Sequence, residues 1–153
     1  MKLYLVQHGD SVSEEVDRER PLSATGRADI GRLAEWLARR NVKVGAMLHS
    51  GKARARQTAE LLQSVLAQDG IIRQAEGLAP NDTPRAFLET LDGLEQDLLV
   101  VSHLPLVGCI VSAALTGNPD REPVRFRPGS LAVLVRDEKG MWRLDLFITP
   151  EFY

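Results

Sequence analysis

The sequence predicts an α/β fold: a single-domain, three-layer α/β/α sandwich whose mostly parallel central sheet carries a C-terminal hairpin. Three observations predict it. Short apolar runs alternate with stretches of helical period along the 153 residues. Two of those runs, residues 3–6 and 98–102, are apolar almost without interruption, as strands buried on both faces of a parallel sheet are. Near the end, residues 131–135 and 142–147 flank "RDEKG", a hairpin pattern with Lys139-Gly140 in the turn.

The elements follow in the order β-α-β-α-β-α-β-α-β-β. After the first strand, Ser23 stands as an N-cap ahead of Ile30, Leu33, Ala34 and Leu37, which recur at helical spacing. Residues 46–49 and 71–73 are weaker strand candidates. Between them Ala55, Thr58, Ala59, Leu62, Val65 and Leu66 mark a second helix. Phe87, Leu88 and Leu91 mark a short third helix behind "NDTP". Residues 106–115 are apolar nearly all round, which predicts a well-buried fourth helix with Pro105 suited to its first turn.

Bulk properties narrow the function classes. The length suits one domain burying about two-thirds of its unfolded surface. A net charge of −2 argues against a general nucleic-acid binder. No stretch approaches transmembrane length, and the opening apolar run is too short for a signal peptide, so no membrane role is expected. Cys109 is the single cysteine and lies in an apolar run; the reading is a buried, inert thiol in a reducing, cytoplasmic setting. There is no G-x-S-x-G elbow and no G-x-x-x-x-G-K-[ST] run, which removes serine hydrolases of that type and P-loop enzymes.

Three polar clusters sit at carboxyl ends of predicted strands, where open α/β sheets bind ligands. "QHGDS" places His8 and Gly9 just past the first strand. "SHLPLVG" places His103 between a buried strand and a helix start, a natural anion site. "SGKARARQT" opens a helix with Lys52, Arg54 and Arg56, cations that oppose the helix dipole unless something anionic lies nearby. Each alone has a bland reading as a strand end, a cap or a solvated helix start. Together they point to an anion pocket, with Arg54 able to turn toward the strand ends and Arg56 directed elsewhere by helical phase.

"HGD", "RPLSATG", "ARARQT" and "SHLPLVG", in this order and spacing over nearly the whole chain, resemble the histidine phosphatase superfamily, specifically its small SixA-like phosphohistidine-phosphatase branch. The resemblance implies a phosphoglycerate mutase-like fold over residues 1–153, with no cap insertion. It implies that His8 is the nucleophile, Arg54 a phosphate ligand and His103 the second histidine of the phosphate pocket, with Gly9 allowing close approach. Asp82 is the candidate proton donor, although Asp82-Thr83-Pro84 also fits a helix cap and first turn. No cofactor is implied, and the three histidines show no compact metal-ligand motif.

The family's usual Arg-His-Gly triplet is here Gln7-His8-Gly9. Glutamine keeps an N–H donor but lacks the charge and the fork of arginine. Losing one such donor costs about 2–4 kcal/mol of transition-state stabilisation. One reading has Arg20 or Lys52 supply charge and Gln7 a neutral donor in a working site. The other is a phosphoryl-binding module without turnover. Between Arg54 and His103 there is room for only one helix, one strand and one more helix, so the site should be open. An open site suits a phosphohistidine on a signalling protein domain, or a small phosphate ester.

Overall fold

The computed structural model describes residues 1–66 and 71–153, Val65 by its backbone alone. Strands β1 (Lys2–Gln7), β2 (Ala46–His49), β3 (Ile71–Gln74), β4 (Leu98–Ser102), β5 (Leu131–Arg136) and β6 (Trp142–Ile148) form one sheet. Helices α1 (Ala24–Ala38), α2 (Ala53–Leu66), α3 (Pro84–Glu89) and α4 (Leu106–Thr116) separate the first five strands, as predicted, and a 3-10 turn at Pro150–Phe152 follows β6. The strand order is β3-β2-β4-β1-β5-β6. The first four are parallel, and the hairpin of β5 and β6 adds antiparallel to β1.

The two uninterrupted apolar runs take adjacent central positions, paired from Leu3↔Leu98 to Gln7↔Ser102. The pleat then divides the core in two. Tyr4 and Val6 face Ile30, Leu33 and Leu37 of α1 and Ala59 and Leu62 of α2. Leu3 and Leu5 face Phe87 of α3 and Leu106 and Ile110 of α4 on the other side. The result is the expected three layers. β2, a weak strand in the sequence, is buried along its whole length, whereas β3 is the exposed edge.

Local signals act as read, with differences of detail. Ser23 Oγ accepts the Gly26 amide at 3.0 Å and caps α1. In the hairpin, Asp137 Oδ1 accepts the amides of Lys139 and Met141, and Gly140 takes a positive φ of 79°. Pro105 stands just before α4 as its cap residue, not inside its first turn. Cys109 is half-buried rather than enclosed, because α4 leaves one flank partly open; burial still raises its thiol pKa, away from the reactive thiolate. Among the described residues, no helix is long and apolar enough to cross a membrane.

Two glycines let the loop after β1 lie against α1. A Cβ on Gly9 would stand 2.8 Å from Ile30 Cγ1, and one on Gly26 only 2.1 Å from the Asp10 carbonyl oxygen. Gly26→Ala is therefore expected to lower the unfolding free energy by about 1–3 kcal/mol. Gly31→Ala, in the same helix with nothing within 4 Å of its new Cβ, is expected to gain about 0.5–1 kcal/mol. Urea denaturation of the two variants beside wild type checks both signs.

Candidate active site

Because β1 and β4 run parallel and in register, the residues after their last positions arrive together. The rings of His8 and His103 are 4.9 Å apart between centroids, tilted by 57°. The His8 amide donates to the Ser102 carbonyl at 3.0 Å, continuing the strand ladder by one step. β2 pairs with β4 on its other side, so the α2 start reaches the same place. From there Arg54 Nε donates to His8 Nε2 at 3.1 Å. Arg56 points away and pairs with Glu60 at 3.6 Å.

These groups line a cleft of about 290 Å³ that Gln7, Asp10, Ser11 and Arg20 complete on one side, with Pro80, Leu104 and Pro128 at its apolar margins. The sequence-predicted Gln7, His8, Arg20, Arg54 and His103 all border it. Gly9 lies behind His8. Its amide donates to Thr58 Oγ1 at 3.1 Å, and that hydroxyl donates to the Arg54 carbonyl at 2.8 Å. Gln57 Oε1 accepts the Leu22 amide at 2.8 Å. "ARARQT" thus holds both the His8 loop and the "RPLSATG" segment.

The hydrogen bonds fix the form of His8. Nδ1 lies 2.7 Å from the Gly9 carbonyl oxygen, which can only accept, so Nδ1 carries the proton. Nε2 is then the bare nitrogen, consistent with its accepting from Arg54. Burial first, then the Arg54 and Arg20 charges, lower the His8 pKa to about 4, with the Gly9 carbonyl opposing. At neutral pH this is an unprotonated imidazole nitrogen beside a guanidinium, the combination needed to attack an anionic phosphorus.

His103 is neutral for related reasons. Burial, then His8, Arg54, Lys52 and Arg20, lower its pKa to about 3. Its Nε2 lies 2.5 Å from Ser50 Oγ, while Nδ1 is buried without a partner. A buried N–H without an acceptor is the costlier orphan, so the proton belongs on Nε2, shared with Ser50. Ser50 is the contact that residue-by-residue reading missed; it opens the "SGKARARQT" cluster, but nothing in a lone serine marks it as a histidine partner. Asp10, the third letter of "HGD", also borders the cleft, and its Oδ2 accepts the Ser23 hydroxyl at 2.5 Å.

Other candidates take quieter places. Arg20 has a left-handed backbone, φ 48°, and donates from Nε to the Val12 carbonyl at 3.3 Å. Asp82 Oδ2 accepts the Ala79 amide at 2.7 Å, closing the turn ahead of α3, while its neighbour Pro80 reaches the cleft. His49 accepts the Gly51 amide on Nδ1 and shapes the turn into α2. Ser102 does not cap α4; its hydroxyl donates to the Leu78 carbonyl at 2.6 Å. Among the described residues, no three His, Cys, Asp or Glu side chains gather as a metal cluster.

The far end of the chain braces the His8 loop. The Gly129 amide lies 3.1 Å from the carbonyl oxygens of both Gln7 and His8, and Tyr153 Oη donates to the Gly129 carbonyl at 2.9 Å. A Cβ on Gly129, φ 85°, would approach that hydroxyl to 2.8 Å.

A sequence-family model, the histidine phosphatase superfamily (branch 1), matches residues 3–79. The chain belongs to the histidine phosphatase superfamily. It is 32% identical to phosphohistidine phosphatase SixA of Escherichia coli (strain K12), an alignment covering 98% of this chain and 94% of that protein. A SixA homolog from Haemophilus influenzae is 28% identical over 90% of this chain and 89% of its own. Among solved structures, the protein histidine phosphatase SixA complexed with tungstate superposes with a TM-score of 0.86 at 27% identity, covering 98% of this chain and 97% of that one. This superfamily member shares the α/β fold of that structure over nearly its whole length.

The tautomer and burial of His8 lead to a direct test. Its imidazole is expected to titrate near pH 4, against about 6.5 for a free histidine, by NMR of ring-labelled protein. The unfolded chain binds a proton at about 6.5 that the folded chain refuses until about 4, so stability is held at neutral pH and falls as pH drops through that window. Urea midpoints should decline there in wild type and decline less in His8→Asn.

Proposed function

We propose that this superfamily member hydrolyses phosphohistidine on a protein substrate through a phosphoenzyme formed on His8. The observation that carries the reading is the bare Nε2 of His8, oriented by the Nδ1–Gly9 hydrogen bond and flanked by Arg54. The name and tungstate complex of the SixA relatives agree with it, tungstate being a phosphate-like oxyanion.

In the first step, Nε2 forms a bond to phosphorus while the bond from phosphorus to the substrate imidazole breaks. The departing imidazole keeps the bonding pair and leaves neutral once it carries a proton. Arg54 releases Nε2 and turns its donors onto the equatorial oxygens, where transition-state charge spreads. The Nε2–H of His103, released from Ser50, supplies another donor. In the second step, water attacks phosphorus, Nε2 regains its pair, and the proton of that water passes to the departing phosphate or to solvent. Imidazole is a far better leaving group than an alkoxide, so the reaction has no need of a strong acid. Asp82, engaged with the Ala79 amide, is then a turn residue first.

The cleft is open and bordered by Pro80, Leu104 and Pro128, with Leu104 44% exposed, which suits a phosphorylated side chain presented by a folded partner in the cytoplasm. One observation favours a second reading, binding without turnover: Gln7 stands where the superfamily's arginine is expected. Hydrolysis of a phosphohistidine peptide beside an aryl phosphate separates the two. Wild type is expected to turn over the peptide and to yield an acid-labile phosphoenzyme. His8→Ala should lose both, and Arg54→Ala should lower kcat by about 10²–10³-fold. Inert wild type that still retains the phosphopeptide would establish the binding reading instead.

A further inference from the structure

We propose that the cleft is matched to a singly protonated phosphoryl group, the amide of Gln7 being the residue that selects it. The inference rests on the reading of the cleft as a phosphoryl site. Gln7 is 6% exposed, borders the cleft beside His8, and its amide oxygen has no hydrogen-bond partner. An amide presents both a donor and an acceptor, and rotation about its last torsion exchanges them. A P–OH needs an acceptor. Arginine at this position would offer donors alone and favour the fully ionised group.

The surrounding charges point the same way. Arg54 and Arg20 line the cleft as cations, and Asp10 lines it as a carboxylate. Both histidines are neutral at pH 7, since burial holds His8 near 4 and His103 near 3. Groups on the other bordering segments add little. Lys52 is exposed and outside the lining, so solvent screens the charge that it adds at His103, Asp82 is turned to the Ala79 amide, and Arg127 pairs with Glu151. Two cations and one carboxylate leave about one positive charge, which balances a phosphoryl group carrying one negative charge.

The test is calorimetric titration of wild type, Gln7→Arg and Gln7→Met with inorganic phosphate and with tungstate, from about pH 5.5 to about 8.5, across the second phosphate ionisation. Tungstate is a dianion throughout and reports on charge alone. Wild-type affinity for phosphate is expected to fall about tenfold per pH unit above that ionisation. Gln7→Arg should lose this fall and gain affinity for tungstate. Gln7→Met, which keeps the side-chain volume without donor or acceptor, should lose about tenfold for phosphate at low pH and less for tungstate. Parallel phosphate profiles in wild type and Gln7→Arg, or equal losses for the two anions in Gln7→Met, would overturn the selection while leaving the phosphatase reading intact. Absence of phosphate and tungstate binding in all three proteins would overturn the phosphoryl site itself.

Discussion

Two parallel strands paired in register end at the same height, and whatever follows their last residues meets. Everything in the cleft depends on this pairing of β1 with β4. Gln7 lies opposite Ser102, so the next residues, His8 and His103, face one another without any long-range folding of loops. A one-residue slip would reverse the faces of the whole strand. The packing on the two faces opposes it, because Leu3 and Leu5 fit against α4 while Tyr4 and Val6 fit against α1. The core therefore fixes the register, and the register fixes the distance between the two rings.

Desolvation does the chemical tuning. Two imidazoles and two guanidiniums crowd one side of the sheet, and the imidazoles respond by staying neutral. The neighbours then decide which nitrogen is bare: a carbonyl on Nδ1 and a guanidinium on Nε2 for His8, and a hydroxyl on Nε2 with no partner on the buried Nδ1 for His103. Gly9 and Gly26 contribute by what they lack. Their missing side chains let the His8 loop settle onto α1, where Thr58 can hold its backbone.

Much of this was legible in the sequence. Uninterrupted apolar runs marked the central strands, and Ile30, Leu33, Ala34 and Leu37 marked the buried face of α1, because burial on two faces and on one stripe leave different periods. His8, Arg54 and His103 could be located because each follows a strand end or opens a helix. Ser50 could not, since its partnership with His103 exists only after β2 and β4 pair, across 53 residues. Asp82 shows the reverse difficulty. A capping turn and an acid in a loop use the same letters, and only the hydrogen bond to Ala79 shows how the carboxylate is occupied. Pro128 at the cleft margin was equally hidden, since it arrives from the connection into β5.

The brace from Gly129 to the carbonyls of Gln7 and His8 has a consequence for the order of synthesis. β1 is made first, yet its partners β4 and β5 and the Tyr153 hydroxyl that secures Gly129 are made last. At ribosomal rates of about 5–20 residues per second, the first strand waits several seconds for a neighbour. During that interval its apolar run and the histidine after it are exposed on the nascent chain. The cleft is thus among the final parts of the molecule to take shape, and a partly made chain holds His8 without the neighbours that orient it.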